Sequence, residues 1–345
     1  MEKCNYSNSN GKNVFIYKEH LMKIICKIIV LGILVIGSSS CSDSAQKADP
    51  DFKPKNTKIS FSSGNSPIVF IDEAHNNFHT TNGRYKPFVQ VLTSDGYTVK
   101  PSKEKFTLEY LNQAKILVIA NALDKKRLDF TPPFGDAFDT EEVEAVKQWV
   151  SQGGSLLFIA DHTPFPKVSE KLSAAFGFEF NNGHVDNATF HIDNNSLMEH
   201  AITKGNSDSH DDDQLGIFTG PIGQAINKGA SHSERIVQVK TFGGSAFQIP
   251  DNAKPLLILG KDVISLMPDI PLQVNADTPR VSVGGWYQGA ALEVGERRVA
   301  VFAEAMMFSS QVHVPTGKKY GLASEGADQN EQFLLNVMHW LSKEI

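Results

Sequence analysis

The densest set of titratable side chains in this sequence lies in one run, Asp72-Glu73-Ala74-His75-Asn76-Asn77-Phe78-His79. If the run turns helical, His75 and His79 sit one turn apart on one face, the spacing of the H-E-x-x-H zinc motif. Asn76 stands where that motif carries its glutamate base, so the zincin mechanism is excluded. A divalent metal held by Asp72, His75 and His79 remains a candidate cofactor. Without a metal, Asp72, Glu73 and His75 are candidate acids, bases or orienting groups. The plainer alternative is that Asp72 and His75 hydrogen-bond their own loop and the neighbouring strand ends.

A second constellation is Asp161-His162-Thr163-Pro164-Phe165-Pro166, at a strand-to-helix turn where a side chain and backbone N–H groups can converge on a substrate oxygen. Adjacent residues of an extended turn point opposite ways, so Asp161 and His162 are expected to pair with groups from other strands rather than with each other. Glu304 is a candidate general base or metal ligand, or else a buried cap for a following helix. Asn121, Asn76 and Gln311 are candidate binding residues; for Asn121 the alternative is an Asn that closes a turn.

Other polar segments carry less. Asp208-Ser209-His210-Asp211-Asp212-Asp213 is dense in oxygen ligands but lacks the Gly and distal Glu of a calcium loop, and reads as a solvated acidic loop. His184, His191, His200 and His232 are scattered through an irregular middle region. Phe242 with Phe247 and Trp286 with Tyr287 flank glycines and could stack on a sugar, or simply pack the turns. There is no G-x-S-x-G elbow, no phosphate-binding GxxxxGK[ST] loop and no G-x-G-x-x-G. Gly243-Gly244-Ser245 comes nearest to a serine elbow.

The elements that must position these groups are four apolar runs, each stopped by a polar residue: Ile68 to Ile71 at Asp72, Ile116 to Ala120 at Asn121, Leu156 to Ala160 at Asp161, and Val299 to Ala303 at Glu304. Short runs rich in branched residues are what strands look like when helices cover both faces of a parallel sheet. Ligands bind such sheets at the strand carboxyl ends, which is where the polar stops fall. Helices are expected from Tyr85 to Ser94, from an N-cap at Thr140 to the stop at Gly153-Gly154, around Val168 to Phe176, and from about Gln329. A weak helix from Thr107 and a short strand at Tyr97 to Lys100 complete the alternation, and Ala290 to Ala303 reads as a hairpin. The fold class is α/β: a flavodoxin-like, doubly wound, mostly parallel sheet with a β-rich insertion at about 178–280.

The chain has 345 residues, 33 basic against 39 acidic, with no basic block. Nucleic acid is therefore an unsuitable partner. Residues 22–41 place Lys23 and Lys27 before an apolar stretch, then Ser39, Ser40 and Cys41, which resembles a bacterial lipoprotein signal with Met22 as the true start and Cys41 as the lipidated residue. A plain secretory signal is the alternative, and a transmembrane anchor comes third because the apolar stretch is short for a bilayer. Cleavage before Cys41 removes Cys4 and Cys26, so no thiol is left for a nucleophile, a disulfide or a cysteine zinc site. Residues 42–66 are polar and read as a tether, leaving 67–345 as the folded domain.

VFIDEAHNNFHT, ILVIANAL, GGSLLFIADHTPFP, GAALEVGERRVAVFAEAMMFSSQ and QNEQFLLNVMHWL together resemble an uncharacterised bacterial lipoprotein family of the class I glutamine-amidotransferase-like superfamily. The chain looks near the gliding-motility and intraflagellar-transport type and the trehalose-utilisation type domains of that superfamily. The resemblance implies a site above the strand carboxyl ends. In amidotransferases the turn after a central strand carries a nucleophilic cysteine; here Asp161-His162 stands in the matching turn, so glutaminase activity is expected to be absent. The resulting expectation is a lipid-anchored protein of the cell envelope, in the periplasm or at the outer membrane. Its polar pocket would serve a hydrolase acting on a small polar or carbohydrate ligand. The alternative is a non-catalytic module that binds glycan or a protein partner in an envelope complex.

Overall fold

The computed structural model describes residues 45–62, 64–127, 130–206, 234–295 and 297–345. The signal segment with Cys41, the acidic run Asp208–Asp213 and His232 lie outside the described residues. The four apolar runs become strands β1 (Ile68–Asp72), β3 (Ile116–Ala120), β4 (Ser155–Ile159) and β11 (Arg297–Phe302), and β2 (Thr98–Ser102) joins them at the edge. Pro101 is tolerated in β2 because an edge strand can spare a ladder N–H.

These five strands run parallel in the spatial order β2-β1-β3-β4-β11, so by chain position they lie 2-1-3-4-5. Their side chains alternate between two apolar layers. Val69, Ile71, Val118, Ile159 and Phe302 face one layer, whereas Phe70, Leu117, Phe158 and Val301 face the other. Helix α1 (Lys86–Ser94) and the last helix, α4 (Asn330–Ser342), cover the first layer; α2 (Thr140–Ser151) and α3 (Glu170–Ala175) cover the second. Burial on both faces is why these strands read as continuous apolar runs.

The cap of α2 sits one residue earlier than the sequence suggests. Asp139, not Thr140, is the N-cap, because Glu142 at the third helical position returns the bond in a capping box. The helix expected over Val168 to Phe176 is two pieces, Phe165–Val168 and Glu170–Ala175, which meet at Ser169.

Between residues 178 and 280 the chain is indeed rich in short strands, and three of them extend the central sheet. The hairpin partner β10 (Tyr287–Val294) runs antiparallel to β11. It also pairs with β6 (Ala246–Gln248) and β7 (Ala253–Ile258), and β5 (Glu179–Asn181) then pairs with β6. The whole is a mixed α/β sheet of nine strands, five of them parallel. An arm formed by β8 (Ile264–Leu266) and β9 (Arg280–Ser282) is tied to the body where His184 and Leu266 exchange backbone hydrogen bonds at 2.7 and 2.8 Å.

The segment read as a tether docks on the body over much of its length. Phe52 and Phe61 are buried, and full burial of a phenylalanine contributes about 1.5–3 kcal/mol. Asp95 accepts the Ser60 N–H and hydroxyl, and Glu331 accepts the N–H groups of Lys55 and Asn56. Polar composition suggested a free linker, but two aromatic anchors and two buried carboxylates suffice to hold this strap.

Candidate functional site

The polar residues that end the parallel strands separate into two groups. The first is built on Asp72, whose carboxylate lies 2.9 Å from His75 Nδ1 and accepts from Ala74 N–H at 3.1 Å and Asn77 Nδ2 at 2.9 Å. The other ring nitrogen of His75, Nε2, is 2.9 Å from Glu142 Oε1, and the ring packs between Phe106 and Phe138. Asp72, His75 and Glu142 are all buried. Burial alone would lower the His75 pKa, but the Asp72 hydrogen bond and charge, then those of Glu142, outweigh it and raise it.

An imidazole with a carboxylate on each nitrogen has no lone pair for a metal and no free position for proton transfer. Asp72 and His75 therefore brace the loop to α2, and the metal reading is corrected: His79 faces elsewhere, and among the described residues no three His, Cys, Asp or Glu side chains are placed to hold an ion. Glu73 closes the same loop by accepting the Thr81 N–H and hydroxyl at 2.8 and 2.7 Å. Asn76 is exposed and supplies a left-handed turn residue, φ 48°. Asp72, Glu73, His75 and Asn76 thus leave the candidate catalytic and binding set.

The second group gathers Asp161, Glu304, Asn121, His79, Gln311, Tyr85, His162 and His184. β4 and β11 pair with Ile159 opposite Phe302, and Asp161 and Glu304 each stand two residues further on. Two carboxyl groups are thus delivered to matching positions on neighbouring strands, whose axes lie about 4.8 Å apart. Glu304 is 1% exposed and accepts N–H bonds from Met306 at 2.7 Å, Met307 at 2.8 Å and Phe242. Burial and then the charge of Asp161 nevertheless push its pKa up to about 8, against the pull of those donors. Glu304 therefore fills the capping role, at the turn Met306–Phe308, and the proton it keeps near neutral pH makes it an acid rather than the general base that the sequence suggested.

Asn121 links the strand ends. Its backbone is left-handed, φ 52°, and its Oδ1 accepts the Asp161 N–H at 2.9 Å. That fixes Nδ2 toward His79 Nδ1 at 3.2 Å, so Nδ1 must be the acceptor and Nε2 must carry the ring proton. Gln311 lies 3.4 Å from Nε2, and its Oε1 is buried without another partner. With its amide turned so that Oε1 faces the ring, both requirements are met at once. Burial, then the charges of Arg84 and His162, hold His79 well below its ordinary pKa, so the ring stays neutral. Burial, followed by Glu304 and Asp161, also drives the Tyr85 hydroxyl well up, and it donates to the Ala305 carbonyl at 3.0 Å.

Two half-buried imidazoles flank the group. His162 Nδ1 is 2.7 Å from the Thr163 carbonyl, which assigns a proton to Nδ1. The His184 ring is centred 5.7 Å from it, with Nδ1 buried and without a hydrogen-bond partner. Burial and then His162 lower the His184 pKa. The Asp161 carboxylate accepts the His162 N–H at 2.8 Å, but the two side chains are not paired with each other.

The glycine-rich loop presses on this group from the side. Gly244 has φ +93°, and a Cβ there would collide with the Ala303 carbonyl and Glu304 Cβ. Gln288 secures the loop with 2.9 Å bonds to the Gly243 and Ser245 carbonyls. Ser245 is fully buried with Oγ toward the Ala160 carbonyl, so it is no exposed nucleophile. Phe247 is packed between Phe178 and Phe180, and His200 caps the helix Ala201–Lys204.

Of the predicted catalytic residues, the structure brings together Asp161, His162 and Glu304 and leaves Asp72, Glu73 and His75 apart as supports. Glu142 and Tyr85 escape sequence reasoning as site residues, and the Gly243-Gly244 loop, noticed only as the nearest thing to a serine elbow, serves instead to press on Glu304. Glu142 carried one signal, its place in the first turn of α2. His184 was one scattered histidine among four until the bridge to Leu266 set it beside the group.

No protein-family model matches the chain, and no curated protein matches it. Among solved structures it is similar to the mmIFT52 N-terminal domain, at 15% identity over 79% of this chain and 96% of that one, TM-score 0.49. It is similar also to a ThuA-like protein from Bacteroides uniformis, at 13% identity over 81% and 94%, TM-score 0.39. A third is a GMP-synthase-type protein from Thermoplasma acidophilum, at 10% identity over 81% and 98%, TM-score 0.38. At such identities and TM-scores the three assign neither substrate nor reaction to this chain.

Proposed function

We propose that the chain is a lipid-anchored, extracytoplasmic hydrolase in which Glu304 and Asp161 form an acid–base pair acting on a small polar or carbohydrate ligand. The observation that carries the reading is the pair itself: two carboxyl groups at matching positions past adjacent strands, one of them pushed up to about 8. Carboxyls whose environments push their proton affinities apart divide naturally into a proton donor and a proton acceptor. In the proposed cycle Glu304 gives its proton to the leaving oxygen while Asp161 draws one from the attacking water. His162, through Nε2, holds the ligand beside the pair. The flavodoxin-like reading of the sheet is supported by the parallel order 2-1-3-4-5, and a site at the carboxyl ends agrees with it.

The lipid anchor rests on residues 22–41 alone. A second reading, a non-catalytic module that binds glycan or an envelope partner, is favoured by the backbone N–H bonds on Glu304, which suit a structural cap. Turnover of a panel of nitrophenyl glycosides and esters separates the two. The hydrolase reading expects at least one to be cleaved, with Asp161→Asn and Glu304→Gln each slowing it on the order of a hundredfold or more. A ligand-dependent melting shift without cleavage of any panel member would support the binding module instead.

A further inference from the structure

The strap fixes how far the folded body can stand from its anchor. Asp49 is buried, donates its N–H to the Ser310 carbonyl at 2.9 Å and pairs with Lys319 Nζ at 2.9 Å. Eight peptide steps separate it from Cys41. Fully extended they reach about 28 Å, whereas a body of about 300 residues has a radius of gyration of about 19 Å and a diameter near 50 Å. A chain that short cannot pass around to the far side. If Cys41 carries lipid, the surface around Asp49 is the one turned to the membrane.

That surface has the chemistry of a lipid interface. The hairpin of β12 (Ser310–His313) and β13 (Lys318–Gly321) presents Val314, 54% exposed, at its tip. Lys318 Nζ lies 4.9 Å over the Tyr320 ring and Lys240 Nζ 5.5 Å over the Phe242 ring, and those rings are 6.3 Å apart. Lys47 lies beside Asp49 in the chain and is exposed. The acids near these groups in the chain are Asp43, Asp51 and Glu325; Asp49 is taken up by Lys319. Aromatic rings with lysine heads and an apolar tip suit the headgroup layer, where the ammonium groups can meet lipid phosphates.

We propose that this hairpin face, with Lys240, Phe242 and Lys47, lies on the bilayer that holds the chain's own anchor. The proposal rests on lipidation at Cys41, the location part of the function proposed above, and is independent of catalysis. After cleavage and lipidation no free thiol remains, so single cysteines can be labelled with an environment-sensitive fluorophore. Val314→Cys reports the hairpin tip. Gln152→Cys, exposed at the amino end of β4, reports the opposite end of the sheet from the strand ends that lead to the hairpin.

The full chain, recovered lipidated from bacterial membranes and checked by mass, is placed in vesicles of phosphatidylethanolamine and phosphatidylglycerol with a headgroup-level spin-labelled quencher. Quenching several-fold stronger at Val314→Cys than at Gln152→Cys is the expected result. Equal quenching at both, or none at Val314→Cys with Cys41 lipidated, overturns the orientation and leaves the anchor standing. An unlipidated Cys41 overturns the anchor and this orientation with it, while cleavage of the ester and glycoside panel is tested separately.

Discussion

Residue chemistry divides the polar strand ends more sharply than their positions do. Asp72 and Asp161 both end central strands and both precede a histidine within a few residues, yet one is a brace and the other is half of a carboxyl pair. The difference is whether the histidine nitrogens are taken. His75 has both occupied by buried carboxylates, and removing one member of such a cluster leaves uncompensated buried charge, at a cost of about 3–5 kcal/mol. His75→Phe should therefore lower the unfolding free energy by that order in urea titrations at pH 6. Because Asp72 and Glu142 raise the His75 pKa, the wild-type advantage is complete below 6.5 and shrinks as pH rises through the raised value. A His75→Phe chain as stable as wild type would show that the triad does not brace the loop.

At the scale of elements, the site depends on contacts between segments far apart in sequence. The strand runs were legible because both faces are buried, which leaves an apolar signature in a few consecutive residues: Ile116–Ala120 is read and found with the same bounds. The hairpin and the last helix were legible for a similar local reason. What was not legible needed long-range pairing, such as Glu142 reaching His75 or the Gly243-Gly244 loop settling on Glu304, since nothing in either segment alone announces its partner. The strap shows the same limit, because a polar composition hid two anchoring phenylalanines.

Gly244 tests the loop contact. It needs a positive φ and has no room for a Cβ against Ala303 and Glu304. Gly244→Ala should cost more than the ~1 kcal/mol usual for such a backbone strain alone, measured by thermal unfolding, and should disturb the Glu304 environment. Gly153 also has a positive φ but nothing within 4 Å of its would-be Cβ, so Gly153→Ala should cost only the strain. Equal losses for the two would mean that the loop does not press on the pair.

For the whole molecule, the unusual proton on Glu304 becomes a property of folding itself. An acid whose folded pKa lies above its unfolded one binds its proton more tightly when folded. Its stabilising contribution is therefore complete below about 4.5, declines as pH rises and is lost above about 8. Glu304→Gln keeps the shape and cannot titrate. The unfolding free energy of wild type minus that of Glu304→Gln, followed in urea from pH 4.5 to pH 8, tests the pair most directly. The expected difference falls across that window by on the order of a few kcal/mol. Two curves that stay parallel throughout would contradict it, because Glu304 would then enter the folded state already ionised and could not serve as the acid.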